Sequence, residues 1–442
     1  MRPGLIAAAV GIGVFACYNA NLREIGSYDT QPAKYTVYQL VAERTFDLDA
    51  IVAWRPALAE RMGFAAARDG HVRAARSVAP ALLAWLPSEA MKATGLVPLR
   101  RANSAILAKV AASLLVALAV VFVYFAARRR TSDAWAAMIA LGFGLGTGAW
   151  PTASQALWGH ESVLLGFSLA VMSLAPPEPR LPPWRLWLAA GGLGMAGAAR
   201  YQVVPAVMIL AVGLLARASR PRHALALLPI ALCASAMIGV NLAWFGHPLG
   251  AMAPLEAALH PRIHGVAGPL GATPWTGAAG LLVSPSRGLL IFSPIVLVAA
   301  AGLGAAWREG WRSDARWCAL AAAVQFCAYA SYSVWWGGHT YGPRYLIDLL
   351  PLLVPLAAAG AASLQTRRPA RLAAGAALAW SITLAATGAF FYPAEAWNTN
   401  PVSVDLNHER LWDWRDPQFV RCWRRGPSPQ NFTLWPPVPA IR

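Results

Sequence analysis

The 442-residue chain is 57% apolar and only 13% charged, a composition outside the range of soluble domains. It carries 37 basic and 20 acidic residues, a formal net charge of +17. The basic residues lie in short loops between apolar runs, so they form no continuous surface for a phosphate backbone, and no nucleic-acid partner is expected. Of the five cysteines, only Cys422 lies in a polar stretch, which argues against a disulfide framework or a zinc site. The composition predicts an integral membrane protein.

The apolar runs predict an all-α polytopic membrane protein with about eleven transmembrane helices. The first run, from about Leu5 to Tyr18, has no small-residue cleavage site after it and is interpreted as a retained span. The other ten spans are expected at about residues 104–127, 134–150, 161–175, 186–199, 202–216, 223–245, 289–306, 317–334, 345–363 and 371–391.

The distribution of arginine predicts the orientation of these spans. Arginines at 128–130 follow the second span, and further clusters at 217–222, 308–316 and 367–371 recur at every second loop. Because such loops are retained in the cytoplasm, the amino terminus is expected there too. The first loop (21–103), a second loop (246–288) and a Trp-rich tail (392–442) are then extracytoplasmic, and residues 1–391 form the transmembrane domain.

The long first loop is expected to contain amphipathic helices that lie in the membrane interface. Apolar residues recur at helical spacing among Ala, Glu and Arg through Tyr35–Ala50 and Ile51–Ala67.

Two acidic residues follow the first span closely. Asp29 lies at the predicted outer mouth of the bundle and is a candidate catalytic carboxylate, although an Asp shortly before Pro32 is also typical of a helix cap. Glu24 is a further site candidate, with a solvated interfacial role as its alternative.

Three arginines lie at the predicted outer ends of spans, against the positive-inside bias. Arg344 belongs to the Gly-rich segment 335–345 (WWGGHTYGPRY), Arg287 to the segment 281–294, and Arg200 to a tight turn between two spans. A charged side chain at this depth is costly unless an anion neutralises it, so a phosphate site is one interpretation. The alternatives are snorkelling of Arg344 to lipid head groups and simple helix capping around Arg287.

Further ionisable or aromatic candidates lie in the same predicted outer segments. His160 and Glu161 are possible metal ligands or a proton relay, but adjacent residues on a helix diverge and the chain lacks metal-ligand spacing. His339 and Tyr341 share the turn of Arg344. No metal or other cofactor is expected.

The early acidic residue, the long first loop, the number of spans and three short motifs resemble bacterial membrane glycosyltransferases of the GT-C superfamily. The motifs are LWGH at 157–160, SPSRG at 284–288 and WGGHTYGPRY at 336–345. The resemblance covers the whole chain in outline and extends to the clan of protein O-mannosyltransferases and lipid A aminoarabinose transferases.

The resemblance implies transfer of a sugar from a polyprenyl-phosphate carrier to an extracytoplasmic acceptor at the bacterial inner membrane, with Asp29 accepting the proton of the acceptor. Members often have two adjacent acids, whereas Thr30 follows Asp29 here, which argues against a metal-assisted reaction.

The residue types suit this chemistry independently, because a base and phosphate-binding arginines are both present. A transporter or flippase of a lipid-linked sugar is the main alternative, although the halves of the chain do not repeat. An assembly partner in an envelope complex would leave the outer arginines without a role. The tail tryptophans suit either packing or stacking on sugar rings.

Overall fold

The computed structural model describes residues 2–59, 63–95, 97–175, 181–218, 221–252, 254–256, 269–271, 273–311, 313–364, 366–391 and 396–432. Most of these residues are helical. The α-helices are α1 (Pro3–Asn19), α2 (Gln31–Ala42), α3 (Asp49–Trp54), α4 (Ala79–Thr94), α5 (Ser104–Ala127), α6 (Asp133–Leu145), α7 (His160–Leu174), α8 (Pro183–Ala199), α9 (Val204–Ala216), α10 (Leu228–Phe245), α11 (Pro274–Val283), α12 (Leu289–Phe292), α13 (Leu297–Arg308), α14 (Asp314–Ala330), α15 (Leu350–Leu364), α16 (Arg368–Phe390) and α17 (Gln418–Arg425).

Four helical segments within the described ranges are long and apolar enough to cross a membrane. They are Arg101–Ala127, His223–Phe245, Arg344–Leu364 and Arg368–Phe390. The other seven segments predicted as spans overlap helices of 17 residues or fewer, so the prediction of eleven spans is not confirmed. The segment at 289–306 breaks at Ser293 before Pro294.

Close backbone contacts hold neighbouring helices of the bundle together. A Cβ atom on Gly166 of α7 would lie 2.4 Å from the carbonyl oxygen of Gly192 on α8, and the reciprocal distance is also 2.4 Å. Small residues that allow such an approach are typical of helix packing in membranes. The core extends along α5, where Val116, Val120 and Tyr124 are buried.

The first loop differs from the predicted pair of interfacial helices. The helix predicted over Tyr35–Ala50 ends at Ala42, and its side chains are nearly all buried, with α4 and α5 as its main neighbours. The helix predicted over Ile51–Ala67 ends at Trp54, because Pro56 disfavours helical backbone at the residue before it.

An antiparallel hairpin follows these two short helices. Its strands are β1 (Phe64–Ala66) and β2 (Val72–Ala74), with Phe64 opposite Ala74. The Val72 carbonyl accepts a hydrogen bond from Leu48 N–H at 2.7 Å, and the Val72 N–H donates one to the Asp49 carboxylate at 2.8 Å. These bonds hold the loop against the hairpin, so long-range pairing replaces the local helical preference.

The ends of the bundle carry different charge clusters. At one end, Arg130 after α5 pairs with Glu309 at 2.6 Å and with Asp314 at the start of α14. Two of the arginine-rich loops therefore meet at this end, called here the Arg130 end. The opposite end is called here the Asp29 end. It carries Asp29 in the turn between α1 and α2, Arg200 directly after α8, and Arg344 in the turn before α15.

The described part of the tail packs onto the Asp29 end. Trp397 is fully buried, and the Trp336 indole N–H donates a hydrogen bond to Asp405 at 2.8 Å. The N–H of Phe432 donates to the Asn21 carbonyl at 2.9 Å. Residues 433–442 of the predicted tail and 257–268 of the predicted second loop lie outside the described residues.

Candidate functional site

Asp29 lies on a segment that the chain anchors to the loop before α7. The Ile25 N–H donates to the Gln155 carbonyl at 3.2 Å, and the Trp158 indole N–H donates to the Ile25 carbonyl at 3.3 Å. Ser27, rather than Asp29, caps the short 3-10 turn Tyr28–Thr30, since its hydroxyl accepts a hydrogen bond from the Asp29 N–H. The Asp29 carboxylate is thus not used as a helix cap.

Two arginines from distant parts of the chain hold that carboxylate. Arg76 contacts one oxygen at 3.0 Å and Arg344 the other at 2.9 Å. Burial opposes ionisation of Asp29, but the guanidinium groups of Arg76 and Arg344 outweigh it and hold the pKa of Asp29 well below its usual range. Asp29 is therefore ionised at neutral pH.

The Gly-rich turn before Arg344 directs this arginine inward. Gly342 has φ of 64°, and a Cβ atom there would lie 2.9 Å from the Phe292 ring, so a side chain would be both strained and crowded. The Arg344 guanidinium lies over the ring of Trp158 at 5.1 Å and over that of Tyr345 at 5.5 Å. These contacts direct the Arg344 side chain to Asp29.

Arg200 belongs to a second buried ion pair beside the first. Its Nε lies 3.3 Å from an oxygen of Asp348. The same carboxylate contacts His160 Nδ1 at 2.7 Å and accepts a hydrogen bond from the Tyr329 hydroxyl at 2.5 Å. The buried Asp348 carboxylate therefore fixes the positions of the Arg200 and His160 side chains, because both contact it directly.

The LWGH motif supports this arrangement through its glycine. Gly159 has φ of 85°, and a Cβ atom there would lie 3.2 Å from Cγ of Arg200. The Glu161 carboxylate accepts hydrogen bonds from the Gly159 N–H and the Ser162 hydroxyl, both at 3.1 Å. Glu161 thus closes the first turn of α7 while its neighbour His160 contacts Asp348.

A cavity of about 300 Å³ opens beside these groups. Its polar end is lined by Asp29, Arg76 and Arg200, and by the ring of Trp158. The remainder is an apolar furrow between α8, α9 and α10, lined by side chains that include Leu193, Val207, Met208, Ile230 and Met237. Charged groups therefore lie at the mouth, and a long apolar surface leads away from it.

The arginines at this mouth are balanced by carboxylates. Besides Asp29, Arg76 also faces Glu256 at 3.7 Å, while Arg200 faces Asp348. An anionic ligand entering the cavity would have to compete with Asp29 for Arg76.

Three other predicted candidates have local partners away from this cluster. Glu24 pairs with Lys34 at 2.8 Å, and both side chains are largely buried. Partly exposed His339 pairs with Asp405 of the tail at 3.1 Å. The hydroxyl of buried Tyr341 donates to the Leu384 carbonyl at 2.8 Å, which is a packing role.

Arg287 was predicted to bind phosphate, and its position differs from that prediction. It is fully buried, and its five N–H groups donate to acceptors within the protein. Those acceptors are the Trp336, Ser286 and Gly338 carbonyls and the side chains of Gln418 and Asn398, at 2.6–3.3 Å. Since a guanidinium has five donors, Arg287 has none left for a ligand and instead ties the tail to the bundle.

This role predicts a stability effect for Arg287. The Arg287→Ala variant should lose about 3 kcal/mol of stability, because several buried acceptors lose their donor. Thermal unfolding should shift down, and limited proteolysis should cut within 396–432 more readily. Arg200→Ala is the matched control, which should leave the tail protected. An unchanged unfolding temperature combined with lost anion binding in Arg287→Ala would instead show that Arg287 binds phosphate.

Among the charged residues that pair directly with Asp29 or Arg200, sequence reasoning missed Arg76 and Asp348. Asp348 had a usable signal, since a carboxylate inside an apolar segment needs a partner. Arg76 had none, because it is one of many arginines in the first loop. Within the described ranges, no three His, Cys, Asp or Glu side chains converge in a way that would hold a metal ion.

No protein-family model matches the chain, and no curated protein matches it either. The distinguishing feature of the site is therefore its own geometry, with Asp29, Arg76, Arg200 and Arg344 grouped beside an apolar furrow.

Proposed function

We propose that this protein is a membrane glycosyltransferase that moves a sugar from a polyprenyl-phosphate donor to an extracytoplasmic acceptor. The observation that carries the proposal is the cavity, in which an ionised carboxylate and two arginines share the mouth of an apolar furrow. An amphiphile with a small anionic head and a long apolar tail matches that distribution. The GT-C resemblance of the motifs agrees with it.

The charged groups suit the electron flow of the transfer. The acceptor hydroxyl oxygen forms a bond to the anomeric carbon of the sugar, and its proton passes to the Asp29 carboxylate. The bond between that carbon and the phosphate oxygen breaks, and its electron pair stays on the phosphate. Arg76 and Arg200 neutralise the charge that grows there, with the fork geometry that suits phosphate.

Arg344 has a different role in the proposal. It contacts the Asp29 oxygen that Arg76 does not, so it positions the base and adds positive charge behind it. Asp348 and His160 position Arg200 in turn. No metal is part of the reaction as proposed.

The furrow accounts for the lipid part of the donor. It lies between α8, α9 and α10, and α10 belongs to one of the four segments long enough to cross a membrane. An isoprenoid chain placed there stays in contact with the bilayer while its phosphate reaches the arginines. A flippase needs a site near the membrane midplane, whereas this cluster lies at one end of the bundle, which favours transfer over transport.

The orientation is part of the same proposal. We place the eleven helical segments across the bacterial inner membrane, with the amino terminus and the Arg130 end in the cytoplasm and the Asp29 end outside. The meeting of two arginine-rich loops at the Arg130 end supports this orientation.

The depressed pKa of Asp29 predicts an unusual pH profile. Between about pH 5 and pH 7 the wild-type rate should not fall through protonation of Asp29, because its arginines keep it ionised. In Arg344→Gln one of these cations is lost, the pKa of Asp29 rises, and the acidic limb of the rate profile should move to higher pH. An identical acidic limb in both proteins would contradict the positioning role of Arg344.

The binding half of the proposal can be tested without knowing the sugar. A polyprenyl-phosphate donor releases a polyprenyl phosphate whichever sugar it carries. Undecaprenyl phosphate is therefore a suitable probe for the purified protein. The wild type should bind it, and Met208→Trp, which fills the furrow, should weaken binding. Leu372→Trp, at an exposed position of α16, is the matched control. Equal binding by all three proteins would contradict placement of the lipid in this furrow.

A further inference from the structure

A second groove runs along the other side of the bundle. It encloses about 400 Å³ between α6, α13, α15 and α16, and its walls are almost entirely apolar. Two of its walls, α15 and α16, belong to segments long enough to cross a membrane. Side chains such as Phe143, Leu353, Val354 and Leu378 line it. Where these segments cross a membrane, the groove between them borders its hydrocarbon.

The groove has one charged lining residue. Arg371 lies in the first turn of α16, and Trp135 lines the groove near the start of α6. Both helices begin at the Arg130 end, so the charge lies at that end and the apolar walls lead inward from it. The segment from the end of α15 at Leu364 to Arg371 in the first turn of α16 contains three arginines and no acidic residue.

We propose that this groove binds one anionic phospholipid from the leaflet at the Arg130 end. An acyl chain fills the apolar walls, and the phosphate of the head group pairs with Arg371, assisted by Arg367 and Arg368. The charge of these arginines favours an anionic head over a zwitterionic one. The inference stands apart from the glycosyltransferase proposal, because it uses a different groove at the opposite end.

The charge requirement is tested with the purified full chain in mild detergent. Native mass spectrometry would count bound phosphatidylglycerol and bound phosphatidylcholine with the same acyl chains. The wild type should prefer phosphatidylglycerol, and Arg371→Gln should weaken that binding about fivefold, the usual effect of one surface cation. Arg308→Gln, an exposed arginine at the end of α13, is the matched control and should change little.

The groove itself is tested by filling it. A Cβ atom on Gly375 meets no atom within 4 Å, so Gly375→Leu extends into the groove without a clash. Gly239 on α10 is equally uncrowded, and Gly239→Leu is the matched control. Gly375→Leu should reduce binding of both lipids, whereas Gly239→Leu should not.

Inorganic phosphate distinguishes a lipid head group from a free anion as the ligand of Arg371. Phosphate added in excess should leave phosphatidylglycerol bound, because the acyl chain holds the lipid in the groove. Displacement by phosphate, equal binding of both lipids by the wild type, or undiminished binding by Arg371→Gln or Gly375→Leu would each overturn the proposal.

Discussion

The Asp29→Asn variant should lose sugar transfer by a factor of about 10² to 10⁴, the usual contribution of a general base. It should nevertheless bind undecaprenyl phosphate at least as tightly as the wild type. The Asp29 carboxylate pairs with Arg76 and Arg344, so a phosphate that approaches Arg76 competes with it. Removing the negative charge removes the base and the competitor together. Transfer is measured by release of lipid phosphate and affinity by direct binding.

The opposite directions of these two effects make the variant informative. Asp49, an exposed carboxylate of the same loop that pairs with His71 at 2.7 Å, provides the matched control Asp49→Asn. That control should retain both transfer and binding. Normal transfer by Asp29→Asn would remove Asp29 from the mechanism, and lost binding in a folded Asp29→Asn protein would mean that Asp29 holds the donor rather than the acceptor.

Arg200→Ala should weaken binding of undecaprenyl phosphate by roughly 10- to 100-fold, since a charge-assisted hydrogen bond contributes about 1.5–3 kcal/mol. Arg200→Lys should recover only part of this loss, because an ammonium group lacks the fork geometry. Arg344→Ala should instead lower the turnover rate more than the affinity, because Arg344 contacts Asp29 while Arg200 lines the cavity.

The control for these arginine variants is Arg415→Ala, an exposed residue of the tail at the same end of the bundle. It should leave affinity and turnover unchanged. A larger loss of affinity in Arg344→Ala than in Arg200→Ala would reverse the proposed roles of the two residues.

Part of the site was predictable from the sequence because an unpaired charge is energetically unfavourable at these positions. Arg200 and Arg344 each lie at the threshold of an apolar segment, and both pair with a carboxylate, Arg200 with buried Asp348 and Arg344 with partly exposed Asp29. What the pattern did not specify was the identity of those partners. Asp29 and Arg344 are 315 positions apart, and only the packing of the bundle brings them together.

Arg287 had the same sequence signal and a different outcome. The cost of burying its guanidinium is offset by neutral carbonyl and amide oxygens instead of an anion, and two of these oxygens, on Asn398 and Gln418, belong to the tail. Position and residue type alone do not distinguish the two solutions.

The helical segments were predictable from apolar runs, whereas the first loop was not. Its residues have helical spacing, but Pro56 ends one helix and the pairing of Leu48 with Val72 stabilises a hairpin region instead. Tertiary contacts outweigh weak local preferences in such a segment. Arg76 reaches Asp29 from just beyond this hairpin, which explains why its role was missed.

The most direct test of the central claim is turnover by the purified protein. Lipid-linked sugars extracted from the membranes of the source organism, together with its envelope acceptors, would be incubated with wild-type protein and with Asp29→Asn. The account predicts that the wild type releases polyprenyl phosphate and transfers the sugar. The variant should bind the donor but release no polyprenyl phosphate from it. Absence of release by a wild-type protein that binds the donor, or equal release by both proteins, would contradict it.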